Sequence, residues 1–534
     1  MTIRDPVADG LAAGWKVTDA SALERDLRLS CDVAIVGTGA GGGVTAEILA
    51  NAGLDVVLLE EGPLRSSRDF HMLESEAYPQ LYQESAARKT RDKAITILQG
   101  RCVGGSTTVN WTTSFRTPPA TLAYWGERLG LRELTEAGLA PWFERMERRL
   151  SIGPWQTAPN ENNQALLRGA QRLGLGAGRI QRNVSGCWNL GYCGVGCPVN
   201  AKQSMLVTTL PAALAKDARL VTRARVERLR IAAGRVEALE ARALDAQGIR
   251  PKAQSIAVRA RHYVLAAGAI GSPAVLLRSR APDPYGLLGR RTCLHPTVVS
   301  AALMREPVHG HAGAPQSVYS DHFLERDAID GPIGFKLEAP PLHPLLFGMT
   351  LQGFGAAHAA LMRQFAHAQV VTALLRDGFH ADSAGGQVLL RDDGSPVLDY
   401  PITDILWQGM RRALLAIAEI QFAAGATRVL PAHEQATGYD SWAQARAAIA
   451  ALPLEPLLTR VVSAHVMGGC AMGANERSGV VDARGRHWQL GNLSVHDGSV
   501  FPTSIGANPQ LSIYALTARN ASSLAAALAG RPPA

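Results

Sequence analysis

The chain has 534 residues, 47% hydrophobic and 19% charged, so it holds ample apolar side chain for a large core and is neither a lone small module nor a long disordered segment. Lysine and arginine number 54 against 46 aspartate and glutamate, a formal charge of +8, yet no block of five or six like charges occurs, which excludes a dedicated nucleic-acid arm. Seven cysteines, an odd number in a long chain, do not make a secreted disulfide framework.

Residues 1–29 contain no basic region followed by an apolar core, so no signal peptide is expected. The most apolar stretch, about Pro341 to Leu375, is interrupted by His343, Gln352, His358, Arg363 and His367 and does not read as a membrane span. With the cysteine usage, this points to a reducing, cytoplasmic setting.

The first strong pattern runs from Cys31 to Gly62. The β-branched run Val33 to Val36 meets Gly37, the stretch Val44 to Ala52 is helical, and Val56 to Leu59 reads as a second, parallel strand. Gly37, Gly39 and Gly42 fall in the G-x-G-x-x-G spacing, and Glu60 closes the second strand. The first glycine permits a sharp turn, the second lets backbone approach a pyrophosphate, and the third allows close helix packing; Glu60 can accept from a ribose hydroxyl. This predicts a dinucleotide site without separating FAD from NAD.

The segment from Gly100 to Trp111 is also rich in small residues, which would let main chain lie against a flat ring; its plainer reading is a surface loop. Tyr263 to Pro273, followed by Ala274 to Arg278, reads as a buried strand, a turn and a helix with Pro273 in the first turn. From about 281 to 457 short runs rich in Pro, Gly and His, with the turn signal Asp392 to Pro396, predict a second, mixed domain. Helical stretches fall near Met410 to Gly425 and Ala443 to Ala451. In the last part Leu493 to Val495 is a strand and Gln510 to Leu528 a helix, with Asn508 and Pro509 as its N-cap and first residue. His465 stands among small residues in Ser463 to Gly473, where it can face a cavity, and an imidazole suits proton exchange near neutral pH. With 14 histidines, position alone does not select it.

The N-terminal fingerprint, Gly100 to Asn110, Gly268 to Pro273, His465 to Gly473 and Asp497 to Gln510 together resemble the glucose-methanol-choline (GMC) flavoprotein oxidoreductases, in the family's order. The nearest likeness is to long-chain alcohol oxidase and cholesterol oxidase members. The resemblance implies an α/β fold: a discontinuous Rossmann-like FAD-binding domain in three parts (28–120, 201–300 and 458–534), a connecting region (121–200), and an inserted α+β substrate domain (301–457) on a mostly antiparallel sheet. It implies oxidation of an alcohol CH–OH group to a carbonyl by hydride transfer to flavin N5.

By the same resemblance Gly37, Gly39, Gly42 and Glu60 bind the ADP part, and Gly104, Gly105, Ser106 and Asn110 line the flavin and pyrophosphate. Asp497 and Gly498 meet the ribityl and pyrophosphate region, and Pro509 and Gln510 face the flavin N1–C2 carbonyl edge. His465 and Asn508 form the catalytic pair, the imidazole accepting the hydroxyl proton while the carboxamide donates to the same oxygen. Members with covalent flavin carry His where this chain has Val109, so FAD is expected to dissociate. A helix-capping role for Asn508 stays open beside the catalytic one.

Cys187, Cys193 and Cys197 lie within eleven residues, in a segment resembling that of long-chain alcohol oxidase-like members. The spacing also resembles the catalytic subunit of bacterial FAD-dependent glucose dehydrogenases, where three such cysteines hold an iron–sulfur cluster. A cluster and a tight Gly/Cys loop with one disulfide are the two readings. In the first, the chain is the catalytic subunit of a multi-subunit sugar or polyol dehydrogenase; a non-redox flavin lyase is a third function.

The apolar residues Leu345, Leu346, Phe347, Met349, Leu351, Phe354, Leu361, Met362 and Phe365 line a lipophilic pocket or serve as core. The expected partners are a small-molecule alcohol, lipophilic before sugar, and O2 or an external electron acceptor, with no nucleic acid and no transmembrane segment.

Overall fold

The structure is a computed structural model and describes residues 3–530. Two eight-stranded sheets organise it. In the first, the strands run in space as Lys16–Asp19, Arg219–Thr222, Val56–Leu59, Leu27–Val36, Pro251–Leu265, Arg235–Leu244 and Ala224–Ala232, with Leu493–Val495 also paired to Pro251–Leu265. The pairings from Lys16–Asp19 across to Pro251–Leu265, and that with Leu493–Val495, are parallel; the last two strands turn back antiparallel. Val36 pairs with Leu59 and Leu265, and Leu265 with Val495, so four carboxyl ends lie in one row. Gly37, Glu60, Ala266 and His496 therefore emerge side by side, at the edge where parallel α/β sheets bind ligands.

The strand residues Val33–Val36 and Val56–Leu59 are buried on both faces, as the continuous apolar runs require. The helices Ala40–Asn51 and Gln510–Ala529 pack on each other against this sheet. Both are rich in small residues, which lets their backbones come close.

The second sheet has the order Ile95–Ile97, Val461–Ser463, Thr297–Met304, Ala368–Leu375, Phe335–Glu338, Val318–Ser320 and Gly178–Arg179, with Ala426–Pro431 also paired to Thr297–Met304. All its pairings are antiparallel except that between Val461–Ser463 and Ile95–Ile97. Alternate residues choose its two covers. Val298 and Ala302 join the core under the helix Asp404–Ala423, whereas Val299, Ala301 and Leu303 face Leu342, Phe347 and Leu351 on the other side.

Several local expectations need correction. The sheet assigned to 301–457 also takes strands from 95–97, 178–179 and 461–463, because two- and three-residue strands carry too little pattern to be assigned from sequence. Pro273 lies beyond the first turn of the helix Gly268–Arg278. The helix Gln510–Ala529 has Pro509, not Asn508, at its N-cap position and no side-chain cap. The turn Asp392 to Pro396 joins the hairpin strands Gln387–Leu390 and Pro396–Asp399 as expected.

Candidate active site

A cavity of about 1100 Å³ runs along the row of strand ends. Gly37, Gly39, Glu60, Gly105, Ser106, Asn110, Asp497, Gly498, Pro509 and Gln510 line it, as do His465 and Asn508. Gly42 and Gly104 stand behind the wall. A Cβ on Gly42 would lie 2.0 Å from the Gly37 carbonyl oxygen, and the Gly104 N–H donates to Thr38 Oγ1 at 3.0 Å.

Gly37 has φ +95°, the left-handed region that the turn out of its strand requires. Gly39 and Gly105 meet backbone to backbone: a Cβ on Gly105 would sit 2.7 Å from Gly39 Cα. Glu60 Oε2 accepts from the Thr38 N–H at 3.1 Å and Thr38 Oγ1 at 2.6 Å, and Oε1 from the Gly62 N–H at 2.9 Å. Burial raises its pKa against these bonds. Asp497 spends its oxygens on the chain, taking the Gly268 N–H and Ser272 hydroxyl on Oδ2 and the N–H and hydroxyl of Ser499 on Oδ1. It anchors the start of the helix Gly268–Arg278 to the last strand while lining the cavity. Asn110 Nδ2 donates to Gln510 Oε1 at 2.6 Å, tying the small-residue segment to the start of the last helix.

At the inner end, His465 and His295 meet Nδ1 to Nδ1 at 3.0 Å with rings edge to face. The Gly506 N–H donates to His295 Nε2 at 3.2 Å, so His295 carries its proton on Nδ1 and gives it to His465. Neutral His465 then holds its own proton on Nε2, the nitrogen left for the cavity. Acceptance of a hydroxyl proton at Nε2 requires the opposite tautomers, at the cost of the Gly506 bond. Burial first, then the Lys336 charge, lowers the His465 pKa to about 3.

Asn508 is held by a buried ion pair. Lys336 Nζ lies 3.5 Å from Asn508 Oδ1 and 3.6 Å from Glu338 Oε1, and Asn508 Nδ2 donates to Glu338 Oε2 at 3.3 Å. Gln316 Nε2 donates to the same Glu338 oxygen at 2.6 Å. The amide orientation is thereby set, with one Nδ2 hydrogen left over. His295, Lys336 and Glu338 escaped the sequence reading. His295 is one of 14 histidines, and Lys336 and Glu338 look like the exposed polar positions of an alternating strand.

A second cavity, about 120 Å³, adjoins the first at His465 and Ala464. Its wall is the sheet face of Val299, Ala301 and Val370 closed by Leu346, Phe347 and Leu351. Of the apolar residues expected there, Leu345, Met349 and Phe354 point to solvent instead.

Cys187, Cys193 and Cys197 are free thiols, each half-buried. Their loop is stitched to the small-residue segment by Lys202, whose buried ammonium donates to the carbonyls of Thr108, Asn110 and Cys193. Burial pulls its pKa down to about 8. Among the described residues no group of three or more His, Cys, Asp or Glu is placed to hold a metal ion, so a cluster rests on the spacing alone.

The main cavity fits FAD in size and chemistry. Its volume exceeds the roughly 300–1,000 Å³ of ordinary ligand pockets. Two helices, Ala40–Asn51 and Gln510–Ala529, begin on it without side-chain caps, offering free N–H groups and positive dipole ends to anionic groups. The approach of Gly39 to Gly105 leaves backbone where side chains would intrude.

Comparison with known proteins agrees. A family model described as GMC oxidoreductase matches residues 78–297, and its C-terminal counterpart matches residues 382–517. An uncharacterized GMC-type oxidoreductase of Mycobacterium tuberculosis is 33% identical over 491 residues, 91% of this chain and 74% of that protein. A long-chain-alcohol oxidase of Arabidopsis thaliana is 27% identical over 517 residues, 92% of this chain and 68% of that protein. The fold is shared with pyridoxine 4-oxidase from Mesorbium loti, with a TM-score of 0.67 and 20% identity over 92% of this chain and 99% of that one. Among the described residues no helix is long and apolar enough to cross a membrane. The chain belongs to the GMC oxidoreductase family and is an FAD-dependent alcohol oxidoreductase.

Proposed function

We propose that the enzyme oxidises a lipophilic alcohol whose hydroxyl sits between His465 and Asn508 while its hydrocarbon enters the smaller cavity. The observation that carries this reading is that His465 lines both cavities, one running to Glu60, the other walled by Val299, Phe347 and Leu351. When bound, FAD supplies the hydride acceptor. Gly37, Gly39 and Glu60 would hold its ADP part, Gly105, Ser106 and Asn110 would line the flavin and pyrophosphate, Asp497 and Gly498 would meet the ribityl and pyrophosphate region, and Pro509 and Gln510 would face the flavin N1–C2 edge, with Gly42 and Gly104 supporting them from behind.

Asn508 donates its free Nδ2 hydrogen to the hydroxyl oxygen, and Lys336 and Glu338 keep that hydrogen aimed. His465 hydrogen-bonds the same oxygen through Nε2 and takes the hydroxyl proton once the His295 pair has shifted tautomer. The sheet wall and the helix Pro344–Thr350 keep water from the alkyl chain. The plant long-chain-alcohol oxidases support this substrate class. The test is anaerobic bleaching of the yellow holoenzyme by primary alcohols of increasing chain length, beside glucose and sorbitol. Bleaching efficiency that rises with chain length upholds the reading; bleaching by sugars alone rejects it.

A further inference from the structure

We propose that the loop carrying Cys187, Cys193 and Cys197 is a modification site for hydrogen peroxide, in which Cys193 is the nucleophile, Cys187 closes a disulfide on it, and turnover falls. The seven cysteines divide into two groups. Burial pushes the thiols of Cys31 and Cys102 up to about 12 and those of Cys293 and Cys470 well above their ordinary range, which leaves these four inert. The three loop thiols are partly open to solvent, on a loop whose Trp188 is exposed.

Charge singles out Cys193. Arg182 and Lys202 are 1% and 3% exposed, and their hydrogen-bond partners include no carboxylate. Arg182 donates to Thr112 Oγ1, to the carbonyls of Pro315 and Trp111, and to Cys193 Sγ at 3.6 Å. Lys202 donates to the Cys193 carbonyl; against the burial that lowers its pKa, the groups that hold it protonated are thiols, those of Cys193, Cys197 and Cys102. Buried cations without an anion are costly, and Cys193 is the one partner of Arg182 able to become an anion. A half-buried sulfur beside a guanidinium is the setting of a nucleophilic cysteine.

Cys187 differs. Burial raises its pKa, the Asn189 N–H at 3.4 Å from its sulfur opposes this, and charge on Cys193 and then Cys197 adds to the rise, so it lies within electrostatic reach of both. That suits the second attack rather than the first. In the first, the Cys193 thiolate attacks one peroxide oxygen: the S–O bond forms, the O–O bond breaks, and the leaving hydroxide takes a proton to become water. The Cys187 thiolate then attacks the sulfenic sulfur, the S–S bond forms, the S–O bond breaks, and a second water leaves. Two thiols give up two electrons and two protons, and one peroxide becomes two waters.

The consequence reaches the main site. The disulfide draws the Cys193 sulfur from Arg182, which also holds the Trp111 carbonyl, and Trp111 lines both cavities. Lys202 ties the Cys193 carbonyl to those of Thr108 and Asn110, in the segment that lines the main cavity.

The test treats reduced, full-length holoenzyme with stoichiometric hydrogen peroxide under argon, alkylates the remaining thiols and maps chymotryptic peptides, since Trp188 and Tyr192 lie between Cys187 and Cys193. Wild type is expected to give a Cys187–Cys193 cross-linked peptide and to lose turnover by about tenfold, within the roughly 10²-fold that small displacements of positioning groups cost, with recovery in dithiothreitol. Cys187→Ser should stop at a sulfenic acid on Cys193 that dimedone traps, and Cys197→Ser should cross-link as wild type does. Cys193→Ser, which keeps an acceptor for Arg182, should keep its turnover and resist peroxide. The inference is overturned if Cys193 is unmodified, if the cross-link joins another pair, if the disulfide leaves turnover unchanged, or if enzyme purified anaerobically carries iron and sulfide that Cys193→Ser removes.

Discussion

Replacing Lys336 by methionine tests the buried ion pair behind Asn508. Lys336 and Glu338 are 2% and 0% exposed, and Glu338 Oε1 has no hydrogen-bond partner, so the carboxylate depends on the ammonium 3.6 Å away. Methionine keeps a side chain of similar length and apolar stem but removes the ammonium, which also lies over the Phe115 ring, so the change is mainly one of charge. Leaving a buried charge unpaired costs about 3–5 kcal/mol. With an unfolding entropy of about 2.1 cal/mol/K per residue, a chain of 534 residues melting as one unit shifts by roughly 1 °C per kcal/mol, so the melting midpoint should fall by about 3–5 °C. Burial already raises the pKa of Glu338, so protonation will hold the loss toward the lower end. Adding Glu338→Gln removes the stranded charge and keeps an oxygen for Asn508 Nδ2, so the double variant should recover most of the midpoint. Melting by circular dichroism at one pH and salt concentration reads both effects. A single variant within 1 °C of wild type, or a double variant no more stable than the single, would refute the argument.

Three further outcomes are expected. His465→Ala should lower the anaerobic rate of flavin reduction by about 10²–10⁴-fold, the range for a lost general acid–base group, and an unchanged rate removes the residue from the chemistry. Gly41→Ala puts a Cβ 1.5 Å from the His496 carbonyl oxygen, pushing the first turn of its helix off the strand ends. The purified variant should be pale, and a normal flavin-to-protein absorbance ratio would contradict this. Because burial lowers the His465 pKa to about 3, its folded-state pKa lies below the ordinary 6.5 and it stays neutral as pH falls from 9 to 5. The reduction rate should therefore show no loss on falling through 6.5; an inflection there, abolished by His465→Ala, would overturn the assignment.

Much of this protein is written locally. The strand Val56–Leu59, the strand Leu493–Val495 and the helix from Gln510 follow from contiguous side-chain patterns, and the glycine spacings that carry the family resemblance are contiguous too. What lies outside such patterns was settled by the way distant segments cross. His295 reaches His465 over 170 residues, and Lys336 and Glu338 turn an apparent surface alternation into a buried clasp on Asn508. Asn508 reads as a helix cap because Asn before Pro satisfies local rules, yet its amide is drawn to charges on another sheet. Composition likewise made 341–375 apolar, while only packing decided that Phe347 walls a cavity and Phe354 meets solvent. Hydrogen-bonding and burial at those positions depend on neighbours supplied by the fold, and a linear pattern holds no record of which neighbours those are.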